Sequence, residues 1–79
     1  MWYFTIKQHD LKNEHNQRLQ KIATHIEVEL FSEPYPNYCV FEVESKQYAE
    51  VMNYLDLEGI TYDASTSRPR REELLERMK

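Results

Sequence analysis

Between Tyr38 and Gly59 the chain changes its hydrophobic period once, and that change restricts the available folds more than any other feature. The stretch reads Y-C-V-F-E-V-E-S-K-Q-Y-A-E-V-M-N-Y-L-D-L-E-G. Cys39, Phe41 and Val43 alternate with Tyr38, Val40, Glu42 and Glu44. A period of two predicts a half-buried strand. Tyr48, Val51, Met52 and Leu55 then recur at helical spacing, which predicts an amphipathic helix. Ser45 stands where a hydroxyl can accept a bond from an orphan amide of the first turn. Gly59 stands where a left-handed residue ends a helix. The stretch is therefore a strand, a tight corner and a helix.

The flanking segments repeat the pattern. Trp2, Phe4 and Ile6 alternate with Tyr3, Thr5 and Lys7, giving a first strand. Residues 8–13 are polar and form its exit, with Asp10 or Asn13 as the expected helix cap. Leu11, His15, Leu19, Ile22, Ala23 and Ile26 then form an apolar stripe. The period returns to two at His25: Ile26, Val28 and Leu30 face one side, and Glu27, Glu29 and Phe31 the other. S-E-P-Y-P-N follows, and its prolines exclude a sheet interior because neither has an amide to donate. After Gly59, Ile60, Tyr62 and Ala64 alternate with Thr61 and Asp63 as a fourth strand.

The order is β-α-β-β-α-β. With right-handed crossovers it folds most simply into a ferredoxin-like sandwich, an α+β domain. Two helices cover one face of a four-stranded antiparallel sheet, and strands one and three take its centre. This domain is expected over residues 1–64. Residues 65–79 form a basic C-terminal tail in which Pro69 opens a short helix at its first position. Arg68, Arg70 and Arg71 supply its charge, and Leu74, Leu75 and Met78 its apolar stripe.

The chain's 79 residues suffice for one domain. A chain of this size buries only about 60% of its unfolded surface, so a homodimer is expected as a remedy. With 41% hydrophobic and 13% aromatic residues it is too apolar to be disordered. One glycine excludes phosphate-cradling loops, and one cysteine cannot form an internal disulfide. No apolar run approaches the roughly 20 residues of a membrane span, and no signal peptide is read at the start. A cytoplasmic protein is expected. The formal charge of −4 is uneven. Residues 1–64 carry five cations against eleven acids; residues 65–79 carry five cations against three.

The helices leave the second sheet face bare in this fold. That face collects Tyr3, Phe31, Tyr38 and Val40 as an apolar centre, with Glu27, Glu29, Glu42 and Glu44 around it. An apolar group rimmed by charge has the composition of a contact surface. The competing expectation is that the tail helix folds back over it. The chain is read as a small non-enzymatic protein-interaction module, a regulator or inhibitor that binds a partner protein. An acidic face suits a basic groove on a nucleic-acid enzyme. Small inhibitors of such enzymes, including phage-encoded ones, resemble it in outline.

Asn37 to Val43, N-Y-C-V-F-E-V, resembles the third strand of RNA-recognition-motif domains, whose pattern is G-[FY]-[GA]-F-V-x-[FY]. The resemblance implies single-stranded RNA stacked on Tyr38 and Tyr3, with the R-P-R-R run at 68–71 on phosphates. Pro36, Asn37 and Val40 depart from the pattern's basic residue, glycine and second stacking aromatic. Glu27, Glu29, Glu42 and Glu44, with Asp63 of the fourth strand, put five carboxylates on the face, and these also oppose a polyanion.

Sites for chemistry are few. His9, Asp10, Glu14 and His15 are suitable metal ligands by type, and a small metal-dependent enzyme is the further alternative. They lack the H-x-x-x-H or C-x-x-C spacing, and His15 falls on the apolar stripe as a packing residue. Asp10 stands roughly where the nuclease-like dimers of CRISPR adaptation systems carry an aspartate. The glycine-rich loop and arginine of acylphosphatases have no counterpart here. Cys39 points into the core, where a thiol behaves as a small hydrophobe. Glu42 and Glu44 share a strand face with no cleft to make them an acid–base pair. No cofactor, metal or catalytic residue is expected.

Overall fold

The two strands with the clearest alternation pair at the centre of the sheet. In a computed structural model describing residues 1–77, β1 (Trp2–Lys7) and β3 (Tyr38–Val43) run antiparallel with Phe4 opposite Phe41 and Thr5 opposite Val40. The outer strands are β2 (His25–Glu29), antiparallel to β3, and β4 (Asp63–Ser65), antiparallel to β1. The order is β2-β3-β1-β4. The helices are α1 (Asn13–Ile22), α2 (Tyr48–Leu57) and α3 (Arg71–Arg77). The molecule is thus a small α+β domain with a four-stranded antiparallel sheet and three helices. No helix among the described residues is long and apolar enough to cross a membrane.

One face of the sheet builds the main core. Phe4, Ile6, Cys39, Phe41 and Val43 pack with Leu19 of α1, Val51 and Leu55 of α2, and Ile60. Tyr48 and Tyr62 flank Phe4, each with its ring centroid 5.6 Å away, and the Trp2 ring lies 4.3 Å from that of Tyr48. The α2 terminus closes as its sequence predicts. Gly59 has φ +70°, its N–H reaches the Asp56 carbonyl at 3.2 Å, and the Ile60 N–H reaches the Leu55 carbonyl at 2.9 Å. Two orphan carbonyls are satisfied and Ile60 is folded back onto Leu55. A Cβ at Gly59 would meet nothing within 4 Å, so the dihedral, and not crowding, calls for glycine.

Several element ends differ from expectation. Lys12, not Asp10 or Asn13, is the N-cap of α1, and residues 8–10 make a short 3-10 turn. Lysine offers no acceptor. The first turn is held instead by the His15 ring, whose Nδ1 accepts the Lys12 N–H at 3.1 Å. Ser45 does not cap α2; it opens a 3-10 turn, Ser45–Gln47, and α2 begins at Tyr48. β2 ends at Glu29, which leaves Leu30 and Phe31 outside the strand. Val28 and Leu30 are 46% and 62% exposed, because the helices do not reach over this edge. β4 is limited to residues 63–65; Ile60 and Tyr62 face the core from an irregular approach to it. Ser65, expected to open the tail, closes the strand. α3 begins at Arg71, two residues after Pro69. Met78 lies outside the described residues.

Candidate functional site

The second sheet face is not bare. Three rows of side chains cross it in the order β2-β3-β1-β4: His25, Glu42, Tyr3 and Ser65; Glu27, Val40, Thr5 and Asp63; then Glu29, Tyr38 and Lys7. Thr5, Tyr38 and Val40 are nevertheless buried, at 5%, 9% and 4% exposure. Leu74 of α3 is fully buried yet stands apart from the helix-side core. The tail folds back over the sheet, and it brings two buried apolar side chains, Pro69 and Leu74.

Ion pairs fix the tail at both edges of the sheet. On the β2 side, Arg68 donates both terminal nitrogens to the Glu27 carboxylate and lies 3.7 Å from Glu29. Arg71 Nη1 donates to Glu29 Oε2 at 3.2 Å, and its guanidinium stacks 4.2 Å above the Phe31 ring. Phe31 in turn meets Tyr38 edge-on at 6.4 Å. On the β4 side, Arg77 pairs with Asp63. The arginine–glutamate pairs place planar guanidinium forks against carboxylates, a bidentate arrangement at Glu27 that lysine cannot reproduce. Two paired arginines flank Leu74 at three-residue intervals, Arg71 before it and Arg77 after it. Residues three apart are neighbours on a helix surface.

The expected face residues therefore separate into two groups. Phe31, Tyr38, Val40, Glu27 and Glu29 come together beneath the tail with Arg68, Arg71 and Leu74. Tyr3 and Glu42 lie in the adjacent row, where the Tyr3 hydroxyl donates to Glu42 Oε1 at 3.3 Å and Thr24 donates to Oε2 at 3.4 Å. Glu44 lies past the end of β3 and pairs with Lys46 at 3.3 Å. Arg70 points elsewhere, bonding Glu73 at 3.1 Å, and Leu75 is half-buried. Asp63 and Arg77 complete the clasp. Their signal in the sequence was the repeat of three linking Arg68, Arg71, Leu74 and Arg77. A base could stack on Tyr38 only after the tail had moved. A cavity of about 260 Å³ remains between Tyr38, Thr5, Asp63 and Arg77.

A second cluster lies at the opposite side of the core. Glu14, His15 and Glu58 bring three ligand atoms within 4.8 Å of one another. Both nitrogens of the buried His15 ring are committed, however. Nδ1 accepts the Lys12 N–H, so Nε2 carries the proton and donates to Glu58 Oε1 at 3.0 Å. A metal at Nε2 would force the proton to Nδ1, against the Lys12 N–H. The geometry is that of a clasp between the start of α1 and the end of α2. His9 contacts Asp10 at 3.4 Å on an exposed turn. Burial raises the Cys39 thiol above its ordinary value, which disfavours the thiolate a nucleophile needs. Burial also raises Tyr54, helped by Glu58, and Tyr62, helped by Asp56.

Comparison with family models, curated proteins and solved structures finds no match for this chain.

Proposed function

We propose that this is a non-enzymatic protein-interaction module, a regulator or inhibitor that works by engaging a partner protein through the tail-covered sheet face. One observation supports this most directly. The face holds a basic segment, its own tail, by carboxylate–arginine pairs around an apolar centre, the chemistry a basic protein surface would offer. The β2-β3-β1-β4 order, with the first and third strands central, supports a ferredoxin-like arrangement as its scaffold. A cytoplasmic setting fits the single, buried thiol. The expected dimer takes a concrete form on this scaffold, since a tail exchanged between two copies makes the same contacts in trans.

The test compares three full-length baits: the wild type, a tail-opened Arg68→Glu/Arg71→Glu form, and a face-reversed Glu27→Arg/Glu29→Arg form. A partner protein should be captured best by the tail-opened bait and lost from the face-reversed one. Equal capture by all three, or none by any, would refute the proposal.

A further inference from the structure

The clasp has the dimensions of a recognition rule. Arg71 and Arg77 are six residues apart, about 9 Å along a helix. The outer strands that hold their partners are three strand spacings apart, about 14 Å. Two extended arginine side chains cover the difference and let the segment reach both edges of the sheet. Leu74, midway between them, is thereby set over the apolar centre at Val40, Thr5 and Tyr38. Arg68 adds a second contact on the β2 side, through Glu27 and Glu29. A shorter side chain at either end would leave one edge unpaired, and a polar residue at the centre would sit unpaired on Val40.

We propose that the face selects a ten-residue segment, helical from its fourth position, with arginine at its first, fourth and tenth positions and leucine at its seventh. Residues 68–77 are the resident occupant, displaced when a partner protein brings the same stripe. The inference rests on the reading of the chain as a protein-interaction module and names the chemistry of its partner. Each contact the tail makes is open to exchange. The arginines lie at the surface, with 40%, 53% and 43% of their side chains exposed at 68, 71 and 77, where ion pairs are weak and break readily. Leu74 and Pro69 are the tail's buried side chains among the described residues. Residues 66–70 connect the end of β4 to α3 outside any helix or strand; of these, Arg68 and the buried Pro69 leave the face together with the helix, and Thr66 and Ser67 remain as the link to β4.

The direct test uses a fluorescent peptide with the sequence of residues 66–77 and the full-length protein. Tail-opened Arg68→Glu/Arg71→Glu should bind it at least about tenfold more tightly than the wild type, because the wild-type site is competent only when its own tail is out. Adding Glu27→Arg/Glu29→Arg should abolish that binding. A peptide with lysine for the three arginines, or alanine for the leucine, should bind the tail-opened protein more weakly. Circular dichroism confirms the fold of each variant, and Arg68→Gln/Arg71→Gln replaces the acidic form if that one unfolds. A folded, tail-opened protein that ignores the peptide, or binds it equally after face reversal, overturns the inference. Peptide failure alongside successful capture of a partner protein leaves the interaction module standing and removes only the helix rule. Peptide binding without any captured protein does the reverse.

Discussion

Leu74→Ala discriminates between a tail that belongs to the core and one that is latched onto it. The side chain is fully buried, so the truncation removes roughly three carbons of buried surface, about 2 kcal/mol at 0.8 kcal/mol per methylene. In a rigid core a cavity term would bring the cost to between about 3 and 5 kcal/mol. Here a cheaper response exists. α3 is seven residues long and otherwise held by the exposed ion pairs of Arg71 and Arg77, each worth at most about 1 kcal/mol, and by the stacking of Arg71 on Phe31. Once the leucine contact is lost, detaching the helix costs less than keeping an empty cavity beneath it. The loss is thus capped near 2 kcal/mol and falls on a local opening. Urea denaturation should show this modest loss. Hydrogen exchange should show the α3 amides losing protection while those of β1 and β3 keep theirs. A loss of 4 kcal/mol or more, with sheet and tail exchanging together, would refute the latch. No loss at all would mean that the tail does not rest on Leu74.

Phe41→Ala tests the opposite layer: it should cost roughly 3–5 kcal/mol in the same urea assay, with no selective opening of α3. His15→Leu should cost about 1–2 kcal/mol, since it keeps the packing volume but strips the acceptor from the Lys12 N–H; calorimetry reads this directly, and an unchanged melting temperature would refute the clasp. Cys39, Tyr54 and Tyr62 all have folded values raised by burial. The stability they contribute is complete below their unfolded values, about 8.5 for cysteine and about 10 for tyrosine, and is lost as pH climbs through the folded ones. Denaturation midpoints should therefore fall above about pH 8.5, and Cys39→Ala should remove the earliest part of that fall. An unaltered slope in the variant would show that the thiol contributes nothing.

The central strands and both long helices were legible because their apolar residues keep one period for six to ten positions. Gly59 was legible because the one glycine closes α2. The element ends were not. A cap made by His15 on Lys12 uses a ring three residues inside the helix, and no propensity points to it. Leu30 and Phe31 continue the alternation of β2, yet the strand stops at Glu29 because pairing with β3 stops at Tyr38. Phe31 and Glu44 lie beyond the ends of their strands, whereas Glu27, Val40 and Thr5 share one row of the second face, as the alternation implies. Their burial was not legible, since it depends on where α3 lies. Charge asymmetry between body and tail hints at contact, but the pairing of Arg68 with Glu27, Arg71 with Glu29 and Arg77 with Asp63 depends on the folded path of the tail.

The tail on the acidic face is, in electrolyte terms, a counterion tied to its own macroion. A free acidic surface gathers dissolved cations and releases them when a basic partner arrives, which makes the affinity fall steeply with salt. With the tail docked, Glu27, Glu29 and Asp63 are already neutralised by arginines that cannot diffuse away. A basic partner then replaces one set of bound guanidinium groups with another, and few small ions change places. The closed protein should accordingly hold its partner with an affinity that varies little between dilute and physiological salt, while the tail-opened form shows the steep dependence of a bare charged surface.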